Sequence, residues 1–253
     1  MPARMYRHGS RRRLAAPGIA ALAILAVAGA ATAGWLNTPR DAALWLRDFA
    51  LRDNFHAVVP GELYRSAEMP HARLAATIRR EGIATVVDLR NGPPDPDAGG
   101  RTEADVVAAA GATWVHVPML SSKLPSKQRL LQLIHVLETA ERPILVHCSS
   151  GALRTGVAAA IWLMTAERQS PAVADDQLRI RYGYTQLESD LRRWQHGIDP
   201  LATLLDAYAD AYRQTPVPFR AWVEAGTDVV NVAGIRQFTP PPAQLPRADT
   251  RRD

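Results

Sequence analysis

The chain has 253 residues, 47% of them hydrophobic and 22% charged, an ordinary globular composition with length for one good core plus extensions. Basic residues number 30 against 25 acidic ones, but five of the arginines fall in residues 1–33, which hold no acid; the rest is neutral, which excludes a polyanion binder held by bulk charge, and no nucleic-acid partner is expected. A single cysteine, Cys148, excludes an internal disulfide framework and a zinc site built on cysteines alone. In chain order, the first feature is an uncharged run, LAAPGIAALAILAVAGAATAGWL from Leu14 to Leu36, behind the basic stretch RHGSRRR. Residues 1–36 therefore read as a signal peptide or an N-terminal membrane anchor. Ala31-Thr32-Ala33 offers a cleavage site, and the uncut run is long enough to span about 30 Å of hydrocarbon. Either way the rest of the chain is expected outside the cytoplasm: tethered to the cell membrane, or periplasmic or secreted if cut after Ala33. Residues 37–53 read as a linker or juxtamembrane segment.

From residue 54 to about 228, strand-like and helix-like segments alternate. Strands are expected at Glu62 to Ser66, Ala84 to Arg90, Thr113 to Met119 and Pro143 to Cys148, all but the first rich in β-branched residues. Helices are expected at His71 to Arg80, Thr102 to Ala110 and Ser126 to Ala140. Four more follow, at Gly156 to Arg168, Ala172 to Tyr182, Gln186 to Trp194 and Leu201 to Gln214. Pro93, Pro94, Pro96, Gly99 and Gly100 mark a loop after the second strand. The fold class is α/β, with a central, mostly parallel sheet of about four to five strands flanked by helices. Residues 229–253, ending QFTPPPAQLPRADTRRD, read as a Pro-rich disordered tail.

The chemistry sits where the fourth strand meets HCSSGALRTG, His147 to Gly156, followed by the apolar run VAAAIWLM. A strand, a tight loop and a helix N-terminus make an anion site from converging backbone N–H groups. Arg154 adds a fork for two oxygens of one tetrahedral anion. Together they favour the thiolate of Cys148 and make it a nucleophile at neutral pH. The hydroxyl of Thr155 can donate to the sulfur, and His147 is expected to order the loop.

HCSSGALRTG resembles the HC-x5-R-[ST]-G signature of the cysteine-dependent protein tyrosine and dual-specificity phosphatases. NFHAVVPGELYRSAEM, GIATVVDLRN, VHVPM and PILVHC are similar to successive segments of small bacterial members, so the resemblance spans roughly residues 54 to 190. It implies a protein tyrosine phosphatase fold, a two-step reaction through a phosphocysteine, and no metal or organic cofactor. By position it makes Cys148 the nucleophile and Arg154 the phosphate clamp. The backbone of Ser149, Ser150, Gly151, Ala152 and Leu153 would hold the oxygens, with Thr155 and His147 supporting the thiolate. The implied partner is a phosphorylated protein, phosphotyrosine favoured, or a small phosphomonoester, with membrane contact through the leader if it is uncut.

These phosphatases usually carry an Asp about 30 residues before the Cys as general acid. Here PMLSSKLPSKQ, Pro118 to Gln128, stands there without a carboxylate. The general acid is unassigned, with Asp97 and Asp95 as weak candidates beside Asp175 and Asp176. Lys123 and Lys127 sit where a lid should be and could attract an anion. Arg65 and Arg90, at two strand ends, are expected in structural salt bridges. Two other readings stand beside the enzyme: a catalytically weak phosphate-binding module that lost its acid, and a rhodanese-type sulfurtransferase, which the five-residue spacing and the Arg-Thr-Gly ending fit less well.

Overall fold

The computed structural model describes residues 47–48, 52–92, 96–184, 199–230 and 236–242. The leader, most of the 37–53 linker, the expected helix at 186–194 and Asp95 lie outside them. Among the described residues no helix is long and apolar enough to cross a membrane.

Five short strands form the central sheet: β1 (His56–Val59), β2 (Leu63–Ser66), β3 (Thr85–Asp88), β4 (Thr113–His116) and β5 (Ile144–His147). Their order is β1-β2-β5-β3-β4. β1 is antiparallel to β2; the other three pairings are parallel. Period-2 alternation explains why the inner strands are buried throughout, since each face needs its own cover. Leu63, Val87, Ile144 and Val146 join the larger core, while Tyr64, Val86 and Leu145 join the smaller one on the other side. The smaller core is closed by α1 (His71–Glu81) through Leu74 and Ile78 and by α2 (Glu103–Ala109) through Val107. The larger is closed by α3 (Lys127–Thr139), which buries Leu130, Leu133, Ile134 and Leu137, and by α4 (Leu153–Thr165), buried almost all round. Each fully buried Leu, Ile or Val contributes about 1.5–3 kcal/mol.

Two expectations fail beyond α4. The helix expected from Ala172 to Tyr182 is a single turn, α5 (Pro171–Ala174), followed by 3₁₀ turns at Asp175–Gln177 and Ile180–Tyr182. The Gln177 carbonyl accepts a side-chain hydrogen bond from Arg65 at 2.8 Å, an interaction that a continuous helix, which would use that carbonyl itself, does not offer. After α6 (Pro200–Gln214), the chain adds α7 (Phe219–Ala225) and an antiparallel hairpin, β6 (Thr227–Val230) with β7 (Arg236–Thr239). The tail expected to be disordered from residue 229 therefore contains an ordered strand. Phe238 is the reason: it is 2% exposed and its ring lies tilted 5.2 Å from Trp222 at the end of an aromatic cluster with Phe219 and Tyr208.

The hairpin is also tied to the start of α3 and to the segment before it. The Phe238 amide donates to the Pro125 carbonyl at 2.9 Å, and the Lys127 amide donates to Asp228 Oδ1 at 2.7 Å.

Candidate active site

β5 ends at His147, Cys148 follows it, and α4 starts at Leu153, so the residues between form a loop under the helix N-terminus. Cys148 is 1% exposed. The backbone of the loop is set from outside. The Ser149 carbonyl accepts from the Glu68 amide at 3.3 Å, and the Ser150 carbonyl from Asn54 Nδ2 at 3.1 Å. Arg65 Nη2 donates to the Gly151 carbonyl at 2.7 Å and to the Ala152 carbonyl at 3.2 Å. In a trans peptide the carbonyl and the following N–H point to opposite sides. Holding these four carbonyls outward therefore turns the N–H groups of Ser150, Gly151, Ala152 and Leu153 inward, as an anion cradle requires. The Ala152 amide makes one long contact, 3.4 Å to Ser150 Oγ. The turn needs glycine: Gly151 has φ +70°, and a Cβ there would lie 2.5 Å from the Ala67 nitrogen.

Arg154 stands in the first turn of α4. Its Nη1 donates to the carbonyls of Leu89 and Met119, both at 3.3 Å, and its Nη2 to Ser149 Oγ at 3.2 Å. The guanidinium is thus braced at the C-terminal side of β3 and β4, where sites gather in open parallel sheets. Thr155 Oγ1 is buried without a hydrogen-bond partner; the expected bond to the sulfur is not formed, and the hydroxyl is uncommitted. His147 binds away from the loop, its Nε2 2.9 Å from Glu103 Oε1, and its Nδ1 has no partner.

His147 belongs to a buried charge network. Arg90 Nη2 bridges Asp88 Oδ2 at 2.8 Å and Glu103 Oε2 at 2.7 Å, its Nη1 pairs with Glu68, and Trp114 Nε1 donates to Glu103 Oε1 at 3.0 Å. Burial opposes ionisation of Asp88 and Glu103, yet Arg90 and the His147 ring hold both below the usual carboxylate range. The ligand atoms of Asp88, Glu103 and His147 lie within 4.8 Å of one another, close enough for a metal ion. The Arg90 guanidinium bridges the two carboxylates instead, so these side chains already have their cation.

Arg90 thus makes the salt bridges expected of it, and Arg65 does not. Arg65 is fully buried, and among the described residues no carboxylate pairs with it. Its Nη1 donates to the Gln177 carbonyl and to Gln177 Oε1 at 2.9 Å, and its guanidinium lies 4.0 Å from the centre of the Tyr182 ring. Burial pulls it down to about 10, against Tyr182 and Cys148, which raise it; it stays cationic at neutral pH. Sequence reasoning missed this role because a strand-end arginine gives no sign of whether it meets a carboxylate or a ring of carbonyls. Asn54 was missed too; the signal was its place at the start of the similar segment.

Of the general-acid candidates, Asp97 and Asp176 are committed to other partners, and Asp95 lies outside the described residues. Asp97 accepts from the amides of Arg101 at 3.0 Å and Gly99 at 2.9 Å, and from the side chains of Arg101 and His71. The Arg101 amide foremost, with these other donors, holds it far below the carboxylate range, so it has no proton to give. Asp176 is paired with Arg179 at 2.7 Å. Lys127 is no lid cation: its Nζ donates to the carbonyls of Glu224 and Gly226, capping the end of α7. Lys123 does line a cavity of about 280 Å³ beside Met119.

A mostly parallel sheet, a cysteine at the end of its central strand and an arginine six residues later in the first turn of the next helix form the arrangement of a cysteine-dependent phosphatase site of the tyrosine and dual-specificity class. Residues 63–168, from the start of β2 to just past α4, match the family model described as "Tc-R-P: Polymorphic toxin system, DSP-PTPase phosphatase". None of the curated proteins matches the chain. Among solved structures, P. aeruginosa TpbA in complex with pTyr is 23% identical, with 62% of this chain and 91% of that one covered and a TM-score of 0.44. The core catalytic domain of the PP-IP phosphatase SIW14 from S. cerevisiae, in complex with citrate, is 21% identical over 66% of this chain and 96% of that one, with a TM-score of 0.45.

Proposed function

We propose that this phosphatase hydrolyses phosphomonoesters through a phosphocysteine, and that aryl esters, phosphotyrosine in proteins above all, are its substrates. The observation that carries the reading is the set of four outward-held loop carbonyls around Cys148, with Arg154 braced beside them. The inward N–H groups and Arg154 bind the three non-bridging oxygens. The Cys148 thiolate attacks phosphorus; the S–P bond forms as the P–O bond breaks, and the electron pair leaves on the ester oxygen. Water then attacks phosphorus, the S–P bond breaks, and phosphate departs with the thiolate restored. Thr155 is the nearest uncommitted hydroxyl in sequence to support the sulfur as leaving group. The scheme uses neither metal nor organic cofactor.

With no general acid assigned, the leaving group decides the rate. Losing general-acid help costs about 10² to 10⁴ in rate, and the cost is smallest for a phenol such as tyrosine, which ionises near pH 10. Hydrolysis of p-nitrophenyl phosphate and an alkyl phosphate by the full chain tests this directly. We expect the aryl ester to be turned over at least about 10²-fold faster, and Cys148→Ser to abolish both activities. Tight phosphoprotein binding without turnover would instead mark a binding module, and thiosulfate consumption without phosphate release a sulfurtransferase.

The basic run followed by the uncharged segment at 14–36 supports placing this chemistry outside the cytoplasm. A reporter fused to the C-terminus should be active only when it functions in the exported compartment.

A further inference from the structure

The described arginines are for the most part neutralised. Arg73 pairs with Asp53, Arg101 with Asp97, Arg142 with Glu62 and Arg220 with Glu138. Lys123 and Arg236 are different: among the described residues neither side chain has an ion pair or a hydrogen bond. Among the described residues Arg129 uses its guanidinium only on the neutral Gln132. These three line one cavity of about 280 Å³, together with Asn91, Met119 and Leu120, and among the described residues no acid lines it. A chain with no net charge beyond residue 33 gains nothing in stability from gathering unpaired cations, which repel one another.

The cavity is next to the phosphate clamp. Met119, on its wall, gives its carbonyl to Arg154. Its other wall comes from β7, which lies beyond residue 168, where the family match ends. The phosphate loop itself offers no cationic side chain from Ser149 to Leu153. A second phosphate crowded against the first on a compact ring would find no partner there, whereas an extended peptide, at about 3.3–3.6 Å per residue, can carry a charge outward to the cavity.

We propose that the cavity walled by Lys123, Arg129 and Arg236 is a second anion subsite, which receives an acidic side chain flanking the phosphorylated residue of a phosphopeptide. This deepens the phosphatase reading and rests on it. Leu120, 40% exposed, would cover the apolar stem of the incoming residue.

The test compares two phosphotyrosyl peptides, one with Asp and Glu beside the phosphotyrosine and one with Ser and Gln, on the full chain and on the triple variant Lys123→Ala, Arg129→Ala, Arg236→Ala. We expect KM for the acidic peptide to be about tenfold lower than for the neutral one. The triple variant should erase the difference with kcat and the hydrolysis of p-nitrophenyl phosphate unchanged, and about 1 M salt should do the same. Equal KM values in the wild-type protein, or equal losses on both peptides in the variant, would overturn the subsite. Faster hydrolysis of an inositol polyphosphate than of either peptide would overturn the peptide assignment. Peptide affinities on Cys148→Ser, by fluorescence anisotropy, read the same subsite without turnover. Failure to hydrolyse any ester would then strike the proposed function, while failure to discriminate the peptides would strike the subsite.

Discussion

Arg65 holds more of the site together than any residue that would touch phosphate. A buried guanidinium that meets carbonyls rather than a carboxylate keeps its whole charge for its surroundings, here the loop that carries Cys148. Arg65→Met removes four hydrogen bonds and leaves at least two loop carbonyls without that partner. We expect kcat/KM on p-nitrophenyl phosphate to fall about 10²-fold, as when a preorganised donor is lost, with weaker inhibition by orthovanadate. Arg65→Lys should restore little, because one ammonium cannot reach Gln177 and the loop carbonyls as a fork does. Gly151→Ala meets a different obstacle, since its Cβ would run into the Ala67 backbone. It should abolish turnover, and a crystal structure of the variant should show the loop displaced.

The edge strand β1 brings a pH dependence with it. His56 lies edge-on to Tyr182 at 5.0 Å and bonds Asn54, whose side chain holds the Ser150 carbonyl. Burial first, then the nearby Arg65, pushes His56 from 6.5 down to about 4. A histidine held neutral in the fold contributes stability that is complete above its unfolded value and is lost as pH falls. We therefore expect Tm to drop between pH 6.5 and about 4, and His56→Gln to flatten that slope in thermal unfolding. The carboxylates of Asp88 and Glu103, depressed in the fold, add a further loss at lower pH, as protonation reaches them. Elements such as β2 to β5, α1 and α3 were legible because their apolar periods agree with their environments. β1 was not: HAVV is four residues on an edge, with a register shift between Ala57 and Val59 that blurs the alternation. The broken helix after Ala174 was illegible for another reason, because its local pattern is helical and only the distant Arg65 overrides it.

At the scale of the whole molecule, the body extends past the family match to Thr239 at least. Phe238 was the one aromatic residue in a Pro-rich polar stretch, and a single aromatic in such a setting does not announce a strand. Phe238→Ala should cost about 3–5 kcal/mol in denaturant unfolding, the range for emptying a buried aromatic site. The phosphate loop was legible almost in full, since its residues follow one another in the chain and their spacing fixes their geometry. The supports were not, because Asn54 and Arg65 reach it from 86 to 96 positions away and Gln177 acts through Arg65.

The two hydrogen bonds that tie the hairpin to the start of α3 and the stretch ahead of it give the C-terminal end leverage over the front of the molecule. A protease that trims the chain just after Ala225 would leave Cys148 and the bonds of Arg154 to Leu89 and Ser149 in place yet free the rim from Leu120 to Ser126. Such a clipped enzyme should keep its appetite for small aryl esters and lose its discrimination among proteins.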